Sequence, residues 1–206
     1  MPMLETKTGP ITSAAAQSNM VRSDREGNVI VVQGKGKYAE SGQRGRIFVA
    51  ASQASRTFTL FSTATATGLI LGNDAGTGVN LVVLNIGFMR ATAAASAFAN
   101  LVISCGTAAV THTTAKTIYN TFLGGSGVPT AKGLVDRAAT ITVGTIYRVL
   151  ASPSVSDTAT VGIPPVCNID IGGSLIIAPG SFLQIAAGLT NTWAGVAHIM
   201  WEELPI

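Results

Sequence analysis

The sequence predicts an all-β protein, built as an antiparallel β-sandwich of the jelly-roll type. About eight short apolar runs follow one another along the 206 residues, separated by loops rich in Gly, Pro, Asn and Thr. No stretch has the convincing 3.6-residue period of an amphipathic helix. Several runs are apolar on both faces, and such strands need cover on both sides from a second sheet or a neighbouring subunit. An immunoglobulin-like sandwich is the second choice. It is disfavoured because both tryptophans follow both cysteines, so the Cys–Trp–Cys order of that fold is absent.

The first 45 residues predict an extended basic arm rather than part of the sandwich. They show no sustained period apart from the run Asn28–Gln33, which predicts one short strand between two glycines. Up to Arg56 the chain carries eight basic and four acidic side chains, whereas the remainder carries five and six. We therefore expect an arm at 1–45 that lies on a neighbouring molecule, followed by the sandwich at 46–206. A loose tail followed by the first strand of the domain is the alternative.

Regularly spaced strand signals begin at Arg46. The alanine-rich stretch 91–97 lacks charged partners and lies between two strand signals, which favours a loop. Gly87 is interpreted as a bulge or a close contact inside a strand. Residues 107–136 are rich in Thr, Gly and Ser and predict the main surface excursion, with a short strand at 117–122. The strands predicted before that excursion are 46–52, 57–62, 69–73, 80–90 and 98–106.

The last third of the chain predicts the most densely packed strands. A strand at 140–152 precedes a proline-containing loop. The runs Ser174–Ala178 and Phe182–Ala187 then flank Pro179-Gly180, which suits a type II turn because proline presets φ and glycine accepts a positive φ. We expect a tight reversal there, and a third strand at Trp193–Glu203 that returns across the sheet. Alternation in that strand places Val196, His198 and Met200 on one face and Ala197, Ile199 and Trp201 on the other.

The composition favours a protein whose surface is largely covered by neighbours. Only 11% of the residues are charged and 47% are apolar, which is too apolar for a disordered chain and poor in charge for a free monomer. The net charge of +3 does not by itself indicate nucleic-acid binding. The uncharged stretches 91–115 and 172–201 are interrupted by polar residues and do not resemble membrane spans, and no secretory signal is predicted. Cys105 and Cys167 form no Cys-x-x-Cys pair, so reduced, buried thiols are expected.

The sequence shows no catalytic or metal-binding motif. His112 and His198 form no His-x-His or His-Glu-x-x-His pattern, so satisfied or solvated histidines are expected. The segment 124–128 misses the Gly-x-Ser-x-Gly spacing, and 34–37 lacks the spacing of a phosphate-binding loop. We predict that the protein is not an enzyme and uses no catalytic residue, metal or cofactor. The aspartates assigned to scattered loops are Asp136, Asp157 and Asp170.

The basic arm could neutralise phosphates or meet acidic patches on a protein. Single-stranded nucleic acid would need aromatic platforms beside the basic groups, and only Tyr38 and Phe48 are available. Lysine and arginine at the rim of a protein contact steer association and set its register. The arm therefore predicts a protein partner, and binding of nucleic acid is disfavoured.

The segment Gly36–Ala50, GKYAESGQRGRIFVA, resembles the G-[KR]-Y-x-E … R-G-x-x-F-x-A segment near the start of some small tailed-phage virion proteins. The Leu-Ile-Ile-Ala-Pro-Gly turn and the terminal Trp-Glu-Glu-Leu-Pro at 201–205 also resemble that group. Between these ends the likeness is one of short apolar strands joined by Ala/Thr/Gly loops. Such proteins resemble jelly-roll cement, or decoration, subunits that sit as oligomers over the joints of an icosahedral head.

The resemblance implies a homo-oligomer, a dimer or trimer, that binds the major capsid protein on the outside of a phage head. It implies a protein made in the host cytoplasm and carried on the capsid surface of the virion, with no membrane role. For the capsid-contact arm we predict Arg22, Arg25, Lys35, Lys37, Tyr38, Arg44 and Arg46. For the subunit interface we predict Trp193, Val196, His198, Met200 and Trp201, with ordinary core packing as the alternative.

Two other functions compete with this one. Head-fibre, collar and tail proteins can have similar jelly rolls, so a receptor- or glycan-binding module is the alternative. Its site would lie in 107–136, where the aromatic side chains are Tyr119 and Phe122. An enzyme on a double-stranded β-helix fold would require clustered histidine and carboxylate ligands, which the sequence does not provide.

Overall fold

The structure, a computed structural model, describes residues 38–90, 101–125, 127–151, 166–189 and 194–206. The chain divides into two units, Met1–Glu40 and Ser41–Ile206, and the account below concerns the second. The strand predicted at Asn28–Gln33 and the rest of the arm up to residue 37 lie outside the described residues. One short helix, α1 (Ala39–Gln43), precedes the strands and was not predicted.

The strands form two antiparallel sheets, which confirms the predicted all-β sandwich. Sheet 1 has the order β10-β4-β12-β1-β7, with β2 also paired to β12, and sheet 2 has the order β6-β8-β3-β11-β5-β9. The bounds are β1 Ile47–Ala51, β2 Arg56–Thr57, β3 Thr65–Asn73, β4 Val79–Arg90, β5 Leu101–Gly106, β6 Thr111–His112, β7 Ile118–Asn120, β8 Leu134–Thr140, β9 Thr145–Ala151, β10 Val166–Ile177, β11 Ser181–Ala187 and β12 Ala194–Pro205.

Eight strands, those left when β2, β6, β7 and β8 are set aside, pair in the nested order that defines a jelly roll. The first of them, β1, pairs with the last, β12, and the second, β3, pairs with the seventh, β11. The third and sixth, β4 and β10, pair next, and the fourth and fifth, β5 and β9, close the series. This is one long antiparallel hairpin wrapped around a core, and it leaves β9 and β10 at an edge of their sheets.

The core lies between the two sheets. Trp201 of β12 is fully buried and stacks on Phe48 of β1, with ring centroids 6.0 Å apart. Leu71 and Leu183 from sheet 2 belong to the same buried cluster. Each fully buried side chain of this size contributes about 1.5–3 kcal/mol of hydrophobic free energy relative to an exposed one. This inner layer therefore supplies the main stabilisation of the sandwich.

Sheet 2 also buries its outer face. Phe182 and Ile70 point away from the main core, and they form a second buried cluster with Val110 and Ile141 from the loops after β5 and β8. In β11 every residue from Phe182 to Ala187 is buried. The apolar run in this strand therefore has cover on both faces, as the sequence predicted, and the chain itself provides the cover.

The Pro179-Gly180 turn is a corner between the sheets rather than a hairpin within one sheet. Gly180 has the predicted positive φ of 79°. However, β10 pairs with β4 in sheet 1, whereas β11 pairs with β3 and β5 in sheet 2. The prediction that the three closing runs share one sheet is therefore wrong. Asn73 fixes the corner, because its carbonyl accepts from the Gly180 amide at 2.6 Å and its Nδ2 donates to the Ile177 carbonyl at 2.8 Å.

Two other predictions about strands need correction. The run 57–62 forms only the two-residue strand β2 and an isolated bridge at Leu60, because Phe58 turns into the core cluster. Strand β8 lies partly in the predicted excursion and was missed, because its sequence LVDRAAT carries two charged residues. One of these, Asp136, is fully buried, and its partner is described below. The remaining predicted strands match observed ones within four residues at each end, with two exceptions. β9 begins five residues after the predicted start at 140, and β10 begins eight residues before the predicted start at 174.

Candidate interaction surface

The candidate functional surface is the outer face of sheet 1. Side chains of β12 alternate strictly: Ala197, Ile199 and Trp201 are buried, while Val196, His198 and Met200 point outward and are half-buried. The predicted alternation is therefore confirmed. The strand register aligns Met200 with Val49 of β1 and Val196 with Met89 of β4. We call this set the sheet-1 outer face; its members are Val49, Met89, Tyr119, Val196, His198 and Met200.

His198 lies flat across the middle of this face. Its register partner in β4 is Gly87, and a Cβ built on that glycine would collide with the imidazole ring. The predicted close contact at Gly87 is therefore confirmed. The ring Nε2 donates a hydrogen bond to Asn85 Oδ1 at 3.0 Å. Burial lowers the pKa of His198, so the ring is neutral at pH 7 and carries no charge that a contacting protein would have to desolvate.

The face carries exposed apolar side chains on either side of His198. Met89 is 42% exposed and Tyr119, on the edge strand β7, is 49% exposed. Asp170 of β10 is the register partner of Asn85, which is also the register partner of Met200, and Asp170 is exposed. Methionine and tyrosine side chains are enriched in protein–protein contacts, whose rims are polar.

The structure places three of the five predicted interface residues together on this surface. Val196, His198 and Met200 belong to the sheet-1 outer face. Trp201 is fully buried inside the sandwich, so it has no surface left for another subunit and ordinary core packing is the correct reading. Trp193 lies outside the described residues.

Few of the residues predicted for the capsid-contact arm fall in the described part of the chain. Arg44 follows α1 and is exposed, and Arg46, half-buried, directly precedes β1. Tyr38 is half-buried. The other four lie outside the described residues: Arg22, Arg25, Lys35 and Lys37.

A second cluster, at His112, was missed in the sequence. The ring Nδ1 shares a short hydrogen bond with Asp136 Oδ2, and Nε2 lies 3.3 Å from Asp74 Oδ1. Asp136 Oδ1 also accepts from the amides of Thr113 at 3.2 Å and Thr114 at 2.9 Å. Asp136 was assigned to a loop, but it lies in β8 and is fully buried. Separations of 24 and 38 residues gave no local signal for this contact.

The His112 cluster is built to fasten segments together. Burial lowers the pKa of His112, but hydrogen bonds and attraction from Asp136 and Asp74 outweigh it, so the net shift is upward. Both ring nitrogens face carboxylates, which leaves neither of them for a substrate proton. In the described residues, no three His, Cys, Asp or Glu side chains are arranged to hold a metal ion. The cluster ties β6 to β8 and to the turn after β3.

Two further titratable side chains are buried or half-buried, Glu203 and Cys105. Glu203 accepts hydrogen bonds from the amides of Lys132 at 2.8 Å and Gly133 at 2.9 Å, which fixes the segment leading into β8. Cys105 is a free, half-buried thiol, and burial raises its pKa to about 11. A thiol with that pKa is protonated at neutral pH and is a poor nucleophile.

Among the described helices, none has the length and apolar character needed to cross a membrane. Comparisons of the chain with protein-family models, with curated proteins and with solved structures found no match.

Proposed function

We propose that this protein is a structural virion protein, a capsid cement or decoration protein that binds the outside of an icosahedral phage head. The observation that carries the proposal is the sheet-1 outer face, on which Met89, Val196 and Met200 lie outward on the middle strands β4 and β12. The resemblance of Gly36–Ala50 to tailed-phage virion proteins supplies the class of partner. The low content of charged residues, 11%, supports a chain that works inside an assembly.

In this proposal the two parts of the chain have different partners. The sheet-1 outer face joins copies of the protein into a dimer or trimer. The basic arm, ending with Arg44 and Arg46, reaches acidic patches on the major capsid protein. A ligand that binds only the assembled shell stabilises it by mass action, by about 2.7 kcal/mol per site at a hundred times its dissociation constant. The protein would therefore delay disruption of the shell without taking part in its chemistry.

The test uses purified protein and phage heads that lack it. Full-length protein should co-sediment with the heads and raise the temperature at which they release DNA. The double variant Arg44→Glu/Arg46→Glu should weaken binding at least tenfold, because each reversed charge opposes the acidic partner. Lys132→Glu makes the same charge change at an exposed position of the sandwich and serves as the control. Absence of co-sedimentation, or equal binding by the arm variant, would contradict the proposal.

A receptor- or glycan-binding module is the second candidate, and one observation favours it. Tyr119 and Phe122, the two aromatic side chains of the 107–136 region, are 49% and 45% exposed. Exposed aromatic rings can stack on sugar faces. Saturable binding to a glycan array that is lost in Phe122→Ala, together with no binding to heads, would replace the cement function with this one.

A further inference from the structure

The edge strand β9 presents an unusual amount of apolar surface. It pairs with β5 and ends sheet 2, and no strand among the described residues pairs with its other edge. Ile146 is 40% exposed, Tyr147 60% and Val149 63%. Arg148 is its one charged residue. Natural proteins usually protect such an edge with charge, proline or a covering segment, because its free amides and carbonyls are a template for a further strand.

An apolar groove runs beside this edge. Its volume is about 300 Å³, and it lies between β9 and β5 of sheet 2 and the β10–β11 corner. Cys105, Leu175, Ile177 and Phe182 line it. Both β9 and β10 are edge strands, and the groove lies between them. A segment that lies along β9 would hydrogen-bond to that strand and place alternate side chains in the groove. The shape therefore suits an extended apolar segment.

The chain contains one such segment in the 37 residues before the described part, namely Asn28–Gln33, NVIVVQ. Its four central residues are apolar and β-branched, so a strand formed by them is apolar on both faces and needs cover on both. With six residues it is one residue shorter than β9. Within this run, alternate side chains would meet the groove while the others meet the exposed side chains of β9.

We propose that Asn28–Gln33 of one copy adds as a strand to β9 of a second copy and fills the groove beside it. A second copy is favoured because a chain with 11% charged residues requires neighbours to cover its surface. The exchange of arms would hold copies together by main-chain hydrogen bonds. It does not depend on the partner being a capsid, and it can be tested on the purified protein alone.

Disulfide trapping between two full-length variants tests the contact directly. One variant carries Val31→Cys and the other Val149→Cys, both with Cys105→Ser and Cys167→Ser. Mild oxidation of the mixture should give a covalent heterodimer of twice the chain mass, at least tenfold more abundant than with Leu123→Cys as the second partner. Leu123 is 82% exposed and lies after β7, on a different edge, so it controls for random collision.

A peptide competition checks that the segment itself is recognised. Excess peptide of residues 24–37 should suppress the heterodimer, whereas the same peptide with Ile30→Pro should not, because proline removes a strand amide and fixes φ. Equal trapping by the Leu123→Cys control would overturn the proposal. So would a chain carrying both Val31→Cys and Val149→Cys that forms only an intramolecular disulfide, because the arm would then cover its own β9.

Discussion

The outer faces of the two sheets are covered to different extents. On sheet 2, Ile70 and Phe182 are buried beneath loops of the same chain. On sheet 1, Val196 and Met200 remain half-buried and Met89 is exposed, although their strands lie in the middle of the sheet. The inner faces of both sheets pack against each other in the same way. Within the part of the chain that the structure describes, loops cover the outer face of sheet 2, whereas the outer face of sheet 1 keeps exposed apolar side chains.

The largest expected effect contrasts the two sides of β12. Trp201→Ala should destabilise the fold by about 3–5 kcal/mol, because it leaves a cavity in the core. Met200→Ala, one residue earlier on the open face, should cost less than about 1 kcal/mol. Urea unfolding of both variants measures the contrast. Equal losses would mean that the outer face of sheet 1 is packed as tightly as the core.

A buried carboxylate on sheet 2 gives the next largest effect. Asp136→Ala should cost about 2–3 kcal/mol, because the amides of Thr113 and Thr114 and the His112 ring lose their acceptor in a buried place. Lys132→Ala, which also removes a charged side chain but at an exposed position, is the control and should change unfolding by less than about 0.5 kcal/mol. A loss no larger than the control's would show that the cluster does not stabilise sheet 2.

The close contact on the open face gives a smaller effect. Gly87→Ala should cost about 1–2 kcal/mol, because the added methyl group displaces the His198 ring and its hydrogen bond to Asn85. In a His198→Ala background the same change should be close to neutral. A double-mutant cycle by urea unfolding measures the coupling. Additive effects would contradict the observed packing.

The smallest effect is a pH dependence from His112. Its pKa is raised in the folded protein, so it contributes stability below its unfolded value of about 6.5. That contribution is lost as the pH rises through the folded pKa. Wild-type unfolding free energy should therefore fall relative to His112→Gln between pH 6 and pH 8.5. Parallel profiles for the two proteins would rule out the ion pair as a source of stability.

Much of the sandwich was predictable because its strands are marked locally. The alternation in β12 identified both of its faces, and the turn residue Gly180 has the expected φ. Local patterns did not reveal that Pro179-Gly180 joins two different sheets, since the pairing of β10 and β11 depends on distant strands. Tertiary context also decides whether an apolar strand residue faces the core or a partner. For that reason Trp201 could not be separated from Met200 by residue type.

The buried cluster at His112 illustrates a different limit. The adjacent charged residues Asp136 and Arg137 interrupt the apolar pattern of β8, so this strand was not predicted. The contact that explains the charge of Asp136 was missed with it. In the register His112 is opposite Ala139, so the contact with Asp136 is made between side chains of residues 24 positions apart, and no short motif records it.

Sedimentation of the purified protein tests the central claim, that another copy covers the sheet-1 outer face. The wild-type chain should sediment as a dimer or trimer. In chains that carry Ile30→Pro, which removes the proposed arm contact at β9, Val196→Asp/Met200→Asp should give a smaller species with unchanged circular dichroism. Leu123→Asp, the same kind of change at an exposed position elsewhere, should retain the wild-type mass. A wild-type protein that stays at the mass of one chain at all concentrations, or a face variant with unchanged mass, would contradict the account.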